Sequence, residues 1–301
     1  MKLTILGCYS ATPRHDTNPT AQVLEVSGHI FLIDCGEGTQ VQLRRKKVRF
    51  SRIKHIFISH LHGDHYYGLI GLIGTFHLLG REAPLHIYGP KGIKEVILLQ
   101  LKLGKSYTSF PLFFHELEDD SPVVVFEDEK VTVTTIPLDH RIYANGFLFQ
   151  QQPGLRKLNI DAVKEAHIDK AYFKKLQQGF DVENESGVLI SNATVTYDPD
   201  APLSYAFCSD TAYKPDLADQ LQGVSVLYHE ATFLEHHADL AHKTKHSTAI
   251  QAAQIAKKAK VGQLILGHYS TRYHDLDLFK TEAETVFQPV VLAEDGKEFE
   301  F

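Results

Sequence analysis

The residues best suited to chemistry lie in one short segment, His60-Leu61-His62-Gly63-Asp64-His65. Three imidazoles and a carboxylate fall within six consecutive positions, and the glycine lets the backbone turn so that they converge. Imidazole nitrogen and carboxylate oxygen are ligands of Zn²⁺, and more than four such donors can hold two ions. We expect the first two histidines to face one ion, and the acid and third histidine a second.

The elements around this segment must position it. The short segment Phe57-Ile58-Ser59 precedes it as a strand, and Tyr67 to Leu79 reads as a buried helix. A strand before, a glycine inside and a helix after favour a metal site over the alternative, a solvated histidine-rich loop.

Other apolar strands also end in histidine or acid. Lys130 to Leu138 leads to His140. The segments 205–211 and 263–273 are apolar strands that deliver Asp210 and His268, and the segment 224–232 repeats this plan with His229-Glu230. We therefore expect each strand to carry one side chain to a common edge. Further elements are predicted at 2–7, 21–26, 29–34, 85–88, 113–117 and 123–126 (strands), and at 91–103 and 246–258 (helices), the last capped by Ser247 or Thr248.

Composition indicates a globular protein of one large domain, or of two halves that share a core. The chain has 301 residues, 43% of them hydrophobic and 23% charged, and no apolar run near the length of a membrane helix. The N-terminus lacks the features of a signal peptide, so we expect a cytoplasmic protein without membrane contact. Cys8, Cys35 and Cys208 are expected to be buried and reduced.

The net charge of −6 argues at first against a nucleic-acid substrate. Bound cations are not counted in that sum, however, and local patches matter more. Residues 154–180 hold six Lys/Arg, including Lys174 and Lys175, against three acids. We interpret about 150–196 as an arm inserted into a single domain of residues 1–301; the alternative is an ordinary surface insertion.

The histidine-rich segment resembles the motif of the metallo-β-lactamase superfamily. That resemblance implies an α/β fold, the αββα sandwich, in which two mixed sheets lie back to back with helices outside. It also implies two metal ions: one held by His60, His62 and His140, the other by Asp64, His65 and His268, with Asp210 bridging. Two bridged cations would generate hydroxide at neutral pH and stabilise an anionic transition state. Zn²⁺ fits these ligands, two per subunit, and Mn²⁺ also accepts them.

Four more segments are similar to those of the ribonuclease Z family, endonucleases that remove the 3′ trailer from precursor tRNA. They are Asp34-Cys35-Gly36-Glu37-Gly38-Thr39-Gln40, His229-Glu230-Ala231-Thr232-Phe233, His246-Ser247-Thr248-Ala249 and His268-Tyr269-Ser270-Thr271-Arg272-Tyr273. The resemblance spans nearly the whole chain. It implies precursor tRNA as substrate, products with a 3′-hydroxyl and a 5′-phosphate, a homodimer, and an arm that grips tRNA.

The resemblance also implies catalytic roles. Asp64 would accept the proton of the attacking water. His246, oriented by Glu230, could protonate the leaving oxygen, because a carboxylate beside an imidazole raises its pKa and fixes its tautomer; the alternative is a buried structural pair. Arg272 could bind a phosphate oxygen or pair with an acid on a neighbouring loop.

Two rival functions use the same ligands. One is a metal-dependent hydrolase of cyclic nucleotides or other small phosphodiesters, or an arylsulfatase-like enzyme, which would have no use for a basic arm. The other is an RNA-binding protein without turnover. The presence together of Asp64, Asp210 and His246 argues against the second.

Overall fold

The computed structural model describes residues 1–301. Nine strands and three helices lie in the part up to residue 151, with a 3₁₀ turn at Phe50–Arg52. The strands are β1 (Lys2–Gly7), β2 (Ala21–Val26), β3 (His29–Ile33), β4 (Ile53–Phe57), β5 (Leu85–Pro90), β6 (Leu112–Leu117), β7 (Val124–Glu127), β8 (Val131–Pro137) and β9 (Asn145–Gln151), and the helices are α1 (Thr39–Arg45), α2 (Gly63–Leu78) and α3 (Ile93–Leu103).

The arm forms a compact unit of its own, residues 151–202, apart from the unit made by residues 1–150 and 203–301. It contains β10 (Lys157–Leu158), α4 (Ile160–Glu165), a 3₁₀ turn at Lys170–Tyr172, α5 (Phe173–Gln177), β11 (Val182–Glu183), β12 (Leu189–Ile190), α6 (Asn192–Val195) and β13 (Thr196–Tyr197). The strands pair antiparallel, β10 with β13 and β11 with β12. Five buried side chains form its core: Val163, Ile168, Leu176, Val182 and Val195.

After the arm the chain alternates strands and helices and then closes the first sheet. The elements are β14 (Ser204–Cys208), α7 (Leu217–Gln220), β15 (Val226–Glu230), a 3₁₀ turn at Glu235–His237, α8 (Ala238–Thr244), α9 (Ala249–Ala259), β16 (Gln263–Gly267), α10 (Asp277–Glu284), β17 (Val290–Leu292) and β18 (Glu298–Glu300). None of the helices has the length and apolar character needed to span a bilayer.

Two seven-stranded mixed sheets form the larger unit. Their strand orders are β18-β1-β2-β3-β4-β5-β6 and β17-β16-β15-β14-β9-β8-β7. Aromatic rings fill the space between them, as where Phe57 of β4 lies 5.3 Å from Phe147 of β9, centroid to centroid. A second buried cluster joins the first sheet to α1, α2 and α3 through Leu43, Leu72 and Ile97. The αββα sandwich expected from the sequence is confirmed.

The helix after the histidine-rich segment begins at Gly63, four residues before the predicted start at Tyr67. Asp64 and His65 therefore lie in its first turn, where the acid suits the positive end of the helix dipole. Helix α9 begins later than predicted, after Thr248. This threonine and Gln251 form a capping box, so the preceding residues 246–247 lie outside the helix.

Candidate metal centre

The carboxyl ends of four strands bring the predicted ligands together at one edge of the sandwich. Because parallel neighbours end at the same edge, side chains that follow them meet there. His60 and His62 follow β4, His140 follows β8, Asp210 follows β14 and His268 follows β16, while Asp64 and His65 come from the start of α2. All seven lie close together.

Three imidazoles and one carboxylate make the first ligand group. Nδ1 of His62 lies 2.9 Å from Nε2 of His60 and 3.1 Å from Nε2 of His140. Oδ2 of Asp210 lies 3.5 Å from Nε2 of His60 and 3.7 Å from that of His140. These four ligand atoms all lie within 4.8 Å of one another, an arrangement suited to one metal ion.

The second group consists of Asp64, His65 and His268. Oδ2 of Asp64 lies 3.4 Å from Nε2 of His65 and 3.5 Å from Nε2 of His268. The other oxygen of Asp210, Oδ1, lies 3.0 Å from His268 and 3.4 Å from His65. Asp210 therefore presents one oxygen to each group, as a bridging ligand would.

Buried atoms without partners indicate that cations fit here. Nε2 of His65 and Nε2 of His268 are both buried and make no well-formed hydrogen bond, although carboxylate oxygens of Asp64 and Asp210 lie within 3.5 Å. A buried polar atom without a partner destabilises the folded protein unless a ligand or ion binds it. Neutral imidazoles and carboxylates are also the donor set that Zn²⁺ prefers.

The pKa values show that this centre attracts positive charge. Burial alone would lower the pKa of His268, but the Asp210 carboxylate outweighs it and raises that pKa from 6.5 to about 10. Burial likewise opposes protonation of His65, whose pKa is nevertheless raised by Asp210 and Asp64. Burial alone would raise the pKa of Asp64, but His65 and His268 together hold it below its usual range.

Two carboxylates behind the ligands fix the orientation of the imidazoles. Asp34, fully buried at the end of β3, lies 2.7 Å from Nδ1 of His65 and accepts from the Ser59 hydroxyl at 2.9 Å. That hydroxyl lies 3.1 Å from Nδ1 of His60. With Nδ1 occupied, each ring keeps Nε2 for the metal.

Glu230, on the second sheet, also fixes the orientation of two imidazoles. Its Oε2 accepts from the Thr232 hydroxyl at 2.6 Å, and that hydroxyl lies 2.9 Å from Nδ1 of His268. Its Oε1 lies 2.8 Å from Nδ1 of His246. The pKa of His246 is raised because Glu230 outweighs the effect of burial. His246 therefore turns Nε2 away from Glu230, with its side chain 11% exposed.

Four of the predicted metal ligands, His62, Asp64, Asp210 and His268, line an open cleft of about 390 Å³. His246 lies on its wall with His62, Asp64 and Asp210. Arg141, exposed and next to His140, also lines it. A cation beside carboxylates and imidazoles in an open cleft suits an anionic substrate.

Arg272 lies beside this cleft. Its guanidinium carbon is 5.4 Å from the centroid of Phe233, and its Nε donates to the Ser270 hydroxyl at 3.3 Å. It pairs with no acid, so the predicted alternative of an ion pair with a neighbouring loop does not occur. The predicted arm residues Lys174 and Lys175 both lie on α5, and Lys175 stacks on Tyr172 at 5.7 Å.

Several residues of the centre were not predicted individually. Asp34 belongs to a segment that resembles the family, but the sequence alone does not predict its role. The feature that could have indicated it is a charged residue at the end of an apolar strand. Thr232 also lies in a segment that resembles the family, two residues after Glu230, and its role could have been suspected from that position. Arg141 follows a predicted ligand directly, and the presence of a cation next to a ligand could have suggested it.

Backbone conformation also marks this edge. Asp34, Asp210 and His268 adopt left-handed conformations, with φ of 55°, 59° and 59°. Non-glycine residues rarely do so, and such residues cluster at functional sites.

Comparison with known proteins agrees with this geometry. A family model described as "Anti-Pycsar protein Apyc1" matches residues 1–289. The chain is 45% identical over 295 residues to "Ribonuclease Z" of Bacteroides fragilis, covering 98% of this chain and 97% of the relative. It is 44% identical over 299 residues to "Ribonuclease Z" of Cytophaga hutchinsonii, covering 99% and 95%.

Solved structures agree as well. Human tRNase Z, short form (ELAC1), superimposes with a TM-score of 0.72 at 28% identity, covering 100% of this chain and 99% of that one. The metallo-β-lactamase fold protein YhfI from Bacillus subtilis has a TM-score of 0.69 at 19% identity, covering 99% and 98%, and shows the fold alone. From its ligand geometry and these relatives, the chain belongs to the ribonuclease Z family of phosphodiester-hydrolysing endonucleases, built on the metallo-β-lactamase fold.

Proposed function

We propose that this protein removes the 3′ trailer from precursor tRNA, leaving a 3′-hydroxyl on the tRNA and a 5′-phosphate on the trailer. The observation that supports it most directly is the cleft in which Asp210 presents one oxygen to each ligand group beside the His246–Glu230 pair. The chain is also 45% identical to a ribonuclease Z. The sequence already predicted this function from its motifs.

The metal ligands are His60, His62 and His140 for one ion, Asp64, His65 and His268 for the other, and Asp210 for both. Zn²⁺, two per subunit, suits this donor set, and Mn²⁺ is the alternative. When bound, two such cations supply Lewis acidity toward a phosphate and lower the pKa of water. Asp64 accepts the proton of the attacking water; its Oδ2 lies 3.4 Å from Nε2 of His65 and 3.5 Å from Nε2 of His268, which hold the carboxylate at the centre.

His246 protonates the leaving 3′-oxygen from Nε2. Glu230 binds the opposite nitrogen at 2.8 Å and is itself held by the backbone N–H groups of Thr211 and Thr232, each at 3.0 Å. A carboxylate so fixed cannot turn away from the imidazole. It therefore sets both the tautomer and the raised pKa that a general acid needs.

Two arginines supply charge for the phosphates. Arg141 lines the cleft, and Arg272 lies beside it without a competing acid. A guanidinium can bind two phosphate oxygens at once. Arg141 is thus the nearer candidate for the scissile phosphate, and Arg272 for a neighbouring one.

The arm is proposed to hold the body of the tRNA. Over residues 151–202 it has six basic and eight acidic residues, so its whole charge is −2 and the excess of +3 is confined to 154–180. Arg156 and Lys157 pair with Asp198 and Asp200, whereas Lys174 and Lys175 form no ion pair. The two unpaired lysines of α5 are therefore the proposed phosphate contacts.

A homodimer is proposed from an apolar surface on α2 and α3. Leu98 and Leu99 are 42% and 49% exposed, Leu103 is 73% exposed, and Leu78 at the end of α2 is 85% exposed. So many exposed leucines on neighbouring helices are typical of a protein interface. A second copy would cover them; Leu99→Glu/Leu103→Glu should then give a monomer by light scattering.

The cytoplasm is the proposed location. Cys8, Cys35 and Cys208 are buried and unpaired by disulfides, which suits a reducing compartment.

Cleavage of a 3′-extended precursor tRNA by the metal-loaded protein tests the proposed function. We expect one cut that leaves a 3′-hydroxyl, and about a tenfold weaker affinity for Lys174→Glu/Lys175→Glu. The matched control, Lys105→Glu/Lys130→Glu, changes the same charge at exposed lysines of the larger unit that form no ion pair. Absence of a tRNA product alongside hydrolysis of a bis-aryl phosphodiester would refute the proposed substrate.

A second candidate is hydrolysis of small phosphodiesters at the same centre. It would use the same ligands, and the family model that matches residues 1–289 carries a different name from ribonuclease Z, Anti-Pycsar protein Apyc1. Cyclic nucleotides assayed beside the precursor tRNA, at equal enzyme concentration, would rank the two by kcat/KM.

A further inference from the structure

Two histidines on neighbouring strands of the first sheet meet away from the metal centre. His86 lies near the start of β5, and His115 lies on β6, the edge strand of that sheet. Nδ1 of His86 is 3.0 Å from Nε2 of His115, and the pair is open to solvent. His86 is in register with His55, five residues before the ligand His60, which corresponds to roughly 16 Å of extended chain. The mechanism above uses neither imidazole.

The spacing of these two nitrogens matches the spacing of ligand nitrogens in the metal centre. There, the nitrogen–nitrogen distance is 2.9 Å between His60 and His62 and 3.1 Å between His62 and His140. Two nitrogens bound tetrahedrally to one Zn²⁺, each at about 2.0–2.1 Å, lie about 3.3 Å apart. A side-chain movement of a few tenths of an ångström therefore lets His86 and His115 bind one ion together.

Stacked aromatic rings hold both imidazoles in this position. The His86 ring stacks on His55 at 5.1 Å and on Phe113 at 5.0 Å, centroid to centroid. The His115 ring stacks on Tyr88 at 4.3 Å, with 10° between the ring planes. Both rings are therefore oriented before a metal arrives, and such preorganisation reduces the entropy that is lost on binding.

The charge around the pair favours a cation. Residues 116–129, which directly follow His115, include seven acids and no lysine or arginine. Negative charge of this kind raises the local concentration of cations. Burial lowers the pKa of both His86 and His115 from the usual 6.5, so both rings are neutral at pH 7, the form that binds a metal.

We propose that His86 and His115 form a further metal site, the β5–β6 histidine site, which binds one Zn²⁺ whose remaining ligands are water. One of the two facing nitrogens carries the proton of the hydrogen bond between them. When the metal binds, that ring changes tautomer and its proton moves to the opposite ring nitrogen, so both facing nitrogens donate a lone pair. The bound ion joins the edge strand β6 to β5.

This site is weaker than the metal centre and independent of the proposed function. It has two protein ligands, whereas the centre has seven, so it fills only at a higher Zn²⁺ concentration. Imidazole also suits Cu²⁺ and Ni²⁺, and Cu²⁺ should bind most tightly of the three.

Calorimetric titration of Zn²⁺ into protein whose metal centre is already filled tests the site. Wild type should bind one further ion per chain. His115→Ala should lose that ion, whereas His242→Ala, which removes an exposed histidine of α8, should still bind it. His115→Cys, measured under reducing conditions, supplies a thiolate ligand in place of the imidazole and should also bind it.

Thermal unfolding gives a second measurement. A ligand that binds only the folded state stabilises it, so Zn²⁺ added after the centre is filled should raise the Tm of wild type further. That increase should be absent in His115→Ala. Hydrolysis of a bis-aryl phosphodiester should be equal in His115→Ala and wild type, because His115 lies outside the metal cleft.

The outcomes are distinct from those that test the proposed function. If wild type binds no further ion, or if His115→Ala binds it as wild type does, the site is refuted and the two imidazoles only hydrogen-bond to each other. His86→Gln, which removes the other ligand, must cause the same loss as His115→Ala. Failure to cleave precursor tRNA would refute the proposed function alone, since no step of this test uses RNA.

Discussion

Asp34 and Glu230 perform the same task on opposite sheets. Each buried carboxylate lies directly against one imidazole, at 2.7 Å from Nδ1 of His65 and 2.8 Å from Nδ1 of His246. Each also reaches a second imidazole through a hydroxyl group, Ser59 in one case and Thr232 in the other. The metal centre is therefore held from both sides by matching carboxylate, hydroxyl and imidazole chains.

Replacing Asp34 should weaken metal binding although it touches no metal. Asp34→Asn keeps the shape but removes the charge that orients His65 and, through Ser59, His60. We expect metal affinity to fall about 10–100-fold, the usual effect of losing such a partner. Competition with a fluorescent zinc chelator measures it; an unchanged affinity would contradict the role given to Asp34.

His246 should matter most when the leaving group needs a proton. His246→Ala removes the proposed acid, and general acid catalysis contributes about 10²–10⁴-fold. We expect a loss of that order on precursor tRNA and a much smaller one on bis(p-nitrophenyl) phosphate, whose leaving group departs without protonation. His242→Ala, an exposed histidine on α8, is the control. Equal losses on both substrates would instead favour a structural His246–Glu230 pair.

Removing one ligand group should leave the other partly intact. His140→Ala affects only the first group, whereas Asp210→Asn affects both. After equilibrium dialysis against Zn²⁺, elemental analysis should give about two ions per chain for wild type, about one for His140→Ala and fewer for Asp210→Asn. Two ions retained by His140→Ala would contradict the assignment.

The capping box of α9 should contribute to stability. The Thr248 hydroxyl accepts from the backbone N–H of Gln251 at 3.2 Å and donates to Glu235 at 2.6 Å. Thr248→Ala should lower the free energy of unfolding by about 1 kcal/mol, as the loss of an N-cap usually does. Urea unfolding measures it, with the exposed Thr281→Ala expected to change stability by less than about 0.5 kcal/mol.

Acid should destabilise the protein partly through His55. Burial, followed by neighbouring His86, His29 and His115, lowers the pKa of His55 from 6.5 to about 4. The folded state thus binds fewer protons than the unfolded state between these values, and stability falls as pH decreases from about 6.5 to 4. His55→Asn should flatten this part of the curve of unfolding free energy against pH; an unchanged slope would exclude His55 as a cause.

Periodicity and strand ends predicted much of this structure from sequence. Strands β1 and β2 have the predicted bounds, and β16 starts at the predicted residue, because turn residues or loops bound each apolar segment. Strands β17 and β18 were missed; they are three residues long and take their stability from neighbours in the sheet. The start of α2 was also missed, since a glycine and two polar residues have no apolar periodicity.

The side chains that could bind metal were easier to find in the sequence than the residues that orient them. His60, His62 and Asp64 are close in sequence, so their shared chemistry is visible without a fold. Asp34 and Ser59, by contrast, are 25 positions apart and meet only because β3 and β4 are neighbours in the sheet. The position of Arg141 on the wall of the cleft could be recognised only from the structure.

The left-handed backbone conformation at Asp34, Asp210 and His268 lowers the stability of the folded protein at residues that the proposed activity needs. Each such residue costs about 1–3 kcal/mol, a cost that glycine would avoid. Selection for thermal tolerance alone would therefore drift toward glycine or asparagine at these three positions, and each step would remove a ligand or its support. In a laboratory evolution experiment that selects only for thermal stability, we therefore expect the stabilising substitutions at these positions to abolish catalytic activity.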